Sequence, residues 1–129
     1  MLVDKPSGVT SHDVVDVVRR SLRTRKVGHA GTLDPMATGL LILGVGRATR
    51  LLRYLGDLSK SYAATGRLGE ETDTLDADGQ IVRSASVDVS RAEIEGACAA
   101  LVGDSLQTPP AYSAIKVGGR KLYEAARKG

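Results

Sequence analysis

Val14, Val15, Val17, Val18 and Leu22 recur at helical spacing and mark one apolar face, so the pattern predicts a helix ending near Thr24. Thr10 or Ser11 can cap it, and Thr10 with Asp13 has the spacing of a capping box. Ahead of that helix, MLVDKP is a short apolar run closed by a proline, which predicts a strand entering a turn. Behind it, residues 28–35 read GHAGTLDP, a glycine-rich turn. LLILGVG is a continuous apolar run closed by glycines and predicts a buried strand, after which ATRLLRYL suits a short amphipathic helix.

In the second half the rhythm is weaker. SYAATGRLG predicts a strand, ETDTLDADG an acidic loop and GQIVRSASV another strand. Ser90 and Glu93 form a second capping box, with Ile94, Ala97, Cys98 and Leu101 on one face and Gly103 as the stop. Cys98 is expected there as a small core residue. After TPP, YSAIKV reads as a strand, GG as a turn and RKLYEAARK as a final helix stopped by Gly129. Strands and helices alternate irregularly, without repeats or linkers, so the fold class is α+β (mixed α/β).

Composition narrows this picture. A chain of 129 residues, 42% hydrophobic, suits a single domain with a real core. With four Tyr and no Phe or Trp, that core has to be aliphatic, and each tyrosine is worth questioning. One cysteine excludes an internal disulfide and a cysteine-based zinc cluster. No signal peptide or long apolar run is present, so the expectation is a cytoplasmic protein with no membrane partner. Charge is segregated: residues 1–60 carry +5, 61–107 carry −6 and 108–129 carry +4. Arg19, Arg20, Arg23, Arg25 and Lys26 are open to two readings, a polyanion footprint or the wet face of a helix and its exit.

Several motifs fail on inspection. TLDADG lacks the first carboxylate and the bidentate glutamate of a calcium loop, which leaves an acidic turn. GVGRAT lacks the third glycine and the later acid of a dinucleotide loop. His12 and His29 have no metal-binding context. Asp34 is the unusual residue. Glycine-rich loops that hold phosphates attract anions, yet this one presents an anion of its own. Taken locally, Asp-Pro is simply a common turn dipeptide.

The blocks DKPSGVTSHDVV, KVGHAGTLDPMATGLLILGVGRAT, KSYAATGRLGEETDTLDADG and PPAYSAIKVGGRKLYEAARKG, in that order, resemble the tRNA pseudouridine synthase B family over essentially the whole chain. The resemblance implies a mixed, largely antiparallel sheet flanked by helices, with residues 1–129 as the N-terminal portion of a catalytic domain. It implies an isomerase that converts uridine at tRNA position 55, in the TΨC loop, into pseudouridine, with no cofactor and no metal. The family's nucleophilic aspartate falls on Asp34, its histidine beside the loop on His29, its base-stacking tyrosine on Tyr62 and the lysine of its DKP block on Lys5. Thr32 and Leu33 are expected to bind substrate with them. Arg25, Lys26, Lys60 and Lys116 are expected to contact RNA.

Physical chemistry makes sense of a lone acid. Breaking an N-glycosidic bond and rejoining the sugar to C5 of the same base needs a nucleophile that is ionised without a helper base, and a carboxylate meets that need at neutral pH. Three routes share it: addition to the ribose, addition to the base, and assisted elimination. Glycosidases need a second acid and a water, whereas here the leaving base returns as the acceptor. The family continues beyond KLYEAARKG with a GTYIR-like block, whose arginine pairs with the aspartate. The expectation is therefore a truncated chain that binds tRNA weakly, turns over poorly and tends to self-associate. A non-catalytic RNA-binding fragment of the same fold is the rival reading.

Overall fold

The apolar run of the first half becomes the middle strand of a small sheet. The computed structural model describes residues 1–106, Lys116–Val117 and Arg120–Lys121. The chain forms two compact units, Met1–Ala63 and Ala64–Gly129. In the first, β1 (Leu2–Lys5) and β2 (Val27–His29) flank β3 (Gly39–Val45), antiparallel and in the order β1-β3-β2. Val3 lies opposite Leu41, and Val27 opposite Val45. The two-residue period of β3 turns Leu41 and Leu43 to one face. There they meet Val14, Val15 and Val18 of α1 (Ser11–Ser21), with Val27, to make the core.

α1 opens on the expected capping box: the Asp13 amide donates to the Thr10 hydroxyl, and the Thr10 amide donates to the Asp13 carboxylate at 2.8 Å. It closes at Ser21, short of Thr24, because Arg23 takes a left-handed φ of 51°. The Thr24 amide then reaches the Arg19 carbonyl and the Arg23 amide that of Arg20, so a Schellman-type turn satisfies the last carbonyls. Arg19 is not on a wet face. Its guanidinium donates to Asp16 at 2.9 Å and to the Val27 carbonyl at 3.0 Å, tying α1 to β2.

The short helix after β3 begins as a 3-10 helix, Gly46–Leu51, and continues as α2 (Leu52–Gly56). It can lie close to the sheet because Gly28 and Gly44 face each other in register. A Cβ on Gly44 would stand 2.9 Å from Leu52 Cγ and 3.0 Å from the Ala48 carbonyl oxygen, which leaves room for glycine alone.

In the second unit β4 (Glu70–Thr72) pairs antiparallel with β5 (Ile81–Ser84), with a register shift at Glu71–Thr72. The acidic loop between them is a self-bonded turn. Asp73 accepts from the Gln80 amide, and Asp76 from the Asp78 amide and the Thr74 hydroxyl. α3 (Arg91–Ala100) starts at the predicted Ser90–Glu93 box. β6 (Lys116–Val117) pairs antiparallel with β7 (Arg120–Lys121). The architecture is thus α+β, with antiparallel sheets throughout the described residues.

Four expectations are corrected. SYAATGRLG is not a strand: residues 61–67 are irregular, for none of the described strands runs alongside to complete a hydrogen-bond ladder. Gly28 and His29 belong to β2 rather than the turn, because they pair with Gly44 and Leu43. Arg120 and Lys121 are in a strand rather than opening a helix, and Gly118-Gly119 between two short runs is itself a hairpin signal. Cys98 is exposed, since α3 buries none of its residues. The expected strand at YSAI and the helix beyond Lys121 lie outside the described residues.

Candidate active site

The Asp34 turn is fastened to the loop between β1 and α1 by side chains from the DKPSGVTS block. Lys5 is fully buried, and its ammonium donates to the carbonyls of Pro6 (3.0 Å), Val9 (2.7 Å) and Pro35 (3.2 Å). An ammonium has three protons, so each is accounted for. Among the described residues no carboxylate is within ion-pair distance of it. Lys5 has no exposed surface, and what it touches is the backbone of the turn and of the loop ahead of α1.

Further bonds complete the clasp. The Gly8 amide donates to the Pro35 carbonyl at 2.8 Å, with Gly8 at a positive φ of 84° that suits glycine. Ser7 Oγ donates to the Met36 carbonyl at 3.1 Å. Ser11 Oγ both donates to the Leu33 carbonyl and accepts from the Leu33 amide at 2.9 Å, and the side chain is buried. Sequence reasoning missed Ser11 in this role. Its signal was a spare hydroxyl: Thr10 and Ser11 could both cap α1, the cap uses Thr10, and Ser11 is left to bind the turn.

Asp34 follows Leu33 directly, with an exposed side chain, and its carbonyl accepts the Ala37 amide to close the turn. Beside the turn lies a groove of about 600 Å³. Thr32 and Leu33 line it from the turn, Leu40 and Ile42 from β3, Leu55 from α2, and Lys60 and Tyr62 from the segment that follows. Tyr62 is 72% exposed, so its ring is available for stacking.

The structure brings only part of the expected set together. Thr32, Leu33, Lys60 and Tyr62 share the groove, and Asp34 stands next to it in the chain. His29 does not line it. Its register partner is Leu43, which puts it on the face turned toward α1, and its Nδ1 pairs with the Gly31 carbonyl. Lys60 donates to the carbonyls of Gly56 and Leu58 at 2.6 and 2.8 Å, so it finishes α2 as a C-terminal cation does. Arg25 and Lys26 are exposed at the start of β2. The Lys116 side chain lies outside the described residues. Among the described residues no three His, Cys, Asp or Glu side chains are grouped to hold a metal ion, and no helix is long and apolar enough to cross a membrane.

The exposed carboxylate thus stands on a turn fastened to the loop between β1 and α1, next to a groove, and comparison identifies the class of protein. Residues 19–129 match the family described as TruB family pseudouridylate synthase (N terminal domain), and the chain belongs to that family. It is 55% identical over its whole length to the tRNA pseudouridine synthase B of Opitutus terrae, covering 54% of that protein. It is 56% identical to the same-named protein of Arthrobacter sp. and 53% to that of Mycobacterium bovis, covering 42% and 44% of them. The chain thus spans about half the length of the curated relatives it matches.

Proposed function

We propose that this chain is the N-terminal part of a tRNA pseudouridine synthase that isomerises uridine at position 55 in the TΨC loop, with Asp34 as nucleophile. The observation that carries the reading is the clasp around Asp34. Lys5, Gly8 and Ser11 each bond the backbone of residues 33–35, so the turn is preorganised while the carboxylate itself stays exposed. Fixing a reacting group in advance is worth large factors in rate, because small displacements at the reacting centre are costly. The names of the relatives support the same reaction.

In this reading the target base leaves its stack and enters the groove. Flipping costs a few kcal/mol, and stacking on the Tyr62 ring returns about 1–3 kcal/mol. His29, which does not line the groove, meets the RNA beside the flipped base rather than the base itself. The N1–C1′ bond breaks, the base turns, and C5 bonds to C1′. The proton lost from C5 is balanced by one gained at N1, so no oxidant, water or cofactor enters the equation. Lys5 acts by positioning, Thr32 and Leu33 form the groove wall, and the enzyme works in the cytoplasm.

A second reading, an RNA-binding fragment without turnover, is favoured by one observation: among the described residues no cation is within ion-pair distance of Asp34. One experiment separates the two. Pseudouridine formation in a TΨC stem-loop RNA is read with mass-sensitive detection, for this chain and for a version extended by the remaining half that its relatives carry. Asp34→Asn is assayed in whichever form converts uridine. The expected result is conversion in the extended form and loss of at least about a thousandfold on Asp34→Asn, with RNA affinity kept within a few-fold. Binding without conversion in both forms supports the second reading, and substantial single-turnover conversion by the Asn variant removes Asp34 from the mechanism.

A further inference from the structure

The segment that carries the 3-10 helix and α2 has a three-residue rhythm. Gly46, Thr49, Leu52 and Leu55 are half-buried, whereas the pairs between them are exposed. Side chains three apart eclipse in a 3-10 helix. Arg47 and Arg50 therefore share one outward row and Ala48 and Leu51 the next, and the exposed pair Arg53 and Tyr54 follows in the first turn of α2. The Arg53 guanidinium lies 4.6 Å from the centroid of the Tyr54 ring, whose hydroxyl it also meets. Successive arginines stand about 5–6 Å apart along the axis, close to the spacing of successive phosphates along an RNA strand.

A second basic stretch joins this row. The Gly46 amide donates to the Lys26 carbonyl at 2.7 Å, and Val27 lies opposite Val45, so Arg25 and Lys26 end beside the start of the arginine row. All five cations are exposed, and among the described residues none has a carboxylate within ion-pair distance. Arg19, Arg67, Arg83 and Arg91 show the contrast, for each has an acidic partner. A row of unpaired like charges repels itself, and a polyanion relieves that repulsion.

We infer that Arg25, Lys26, Arg47, Arg50 and Arg53 form one track that docks the phosphate backbone of an RNA strand, with Tyr54 as a stacking platform at its far end. The inference deepens the reading under Proposed function and rests on RNA being the partner. None of the three arginines was singled out by the sequence, where Arg50 and Arg53 read as the polar side of a short amphipathic helix and Arg47 only as part of GVGRAT. Each phosphate contact releases condensed counterions, so the track has a measurable salt signature.

The test is binding of a TΨC stem-loop RNA, followed by fluorescence anisotropy over a salt series. Replacing all three arginines (Arg47→Gln, Arg50→Gln, Arg53→Gln) is expected to weaken low-salt affinity roughly ten- to hundredfold. The slope of log affinity against log salt should fall by about two to three, near one per lost contact. Tyr54→Ala is expected to weaken binding roughly five- to hundredfold with the slope unchanged. Lysine at the same three positions restores the slope and controls for folding, as does an unshifted melting temperature. An unchanged slope in the Gln variant overturns the inference. So does a variant that binds RNA normally but loses binding to vesicles of mixed phosphatidylcholine and phosphatidylserine. The slope is read without turnover, so its loss where neither this chain nor its extended form makes pseudouridine keeps the track and removes the catalytic reading, while pseudouridine formation with an unchanged slope does the reverse.

Discussion

α1 and α3 start with the same device. In each, an N-cap hydroxyl accepts from the amide three residues on, and the acid at that position reaches back to the N-cap amide. Beyond that first turn they differ. α1 buries Val14, Val15 and Val18 against Leu41 and Leu43, whereas α3 buries none of its residues. A cap decides where a helix begins, but a helix of ten residues is marginal in water on propensity alone, and packing of an apolar face supplies most of the stability. The first unit therefore owes its helix to a core, and the second owes its helix to local bonds.

The largest effect separates these two cases directly. Leu43→Ala removes a side chain that is 2% exposed, and it should destabilise the first unit by about 2–5 kcal/mol. Ile94→Ala in α3, at 38% exposure, should stay within about 1 kcal/mol. Urea unfolding followed by residue-resolved hydrogen exchange assigns each loss to its own unit. Equal costs for the two substitutions would show that α3 packs as α1 does, and the contrast would fail.

Removing the caps is a smaller perturbation. Thr10→Ala and Ser90→Ala should each remove about 0.5–2 kcal/mol of helix stability. The readout should differ, however. In α1 the loss is shared with the core and appears as lower stability of the whole unit with the helix intact. In α3 the helix itself frays, so amide protection at residues 91–100 falls while residues 11–21 of the other helix are undisturbed. Retained protection across α3 in Ser90→Ala would mean that tertiary contacts hold it.

What could be read in the sequence follows the same division. Both caps, the buried strand and the apolar face of α1 were legible because each depends on neighbours close in the chain or on a strict period. The end of α1 was missed because a left-handed arginine stands where a glycine is the usual signal. SYAATGRLG carries strand-like residues, but a strand exists only beside a partner, and partnership is not a local property. Asp34 stood out as chemistry, while the clasp that positions it joins residues about thirty positions apart and appears only in three dimensions. The carbonyl bonds of Lys5 and Lys60 were hidden for a related reason. A lysine bonded to carbonyls and one that meets a phosphate look alike in sequence.

Acid titration gives the finest test of the contrast between the two helices. The bonds from Thr10 hold the Asp13 carboxyl below its ordinary value of 3.8, and those from Ser90 hold Glu93 below 4.5. A carboxylate whose pKa is depressed by folding contributes stability that is present above its unfolded value and is lost as pH falls through the folded one. Both boxes should therefore weaken on acidification, and neither should respond between pH 6 and 8. The glutamate's ordinary value lies higher, so the α3 box enters its window first. Packing then widens the gap, because α1 keeps its valines in the core after Asp13 is protonated and α3 has no such reserve. Side-chain carboxyl and backbone amide shifts, followed by NMR from pH 6 to 2, should show Glu93 titrating with progressive loss of the α3 amide pattern. Asp13 should titrate with α1 still formed. Fraying of α1 at the higher pH would mean that capping, rather than the core, carries the first helix as well.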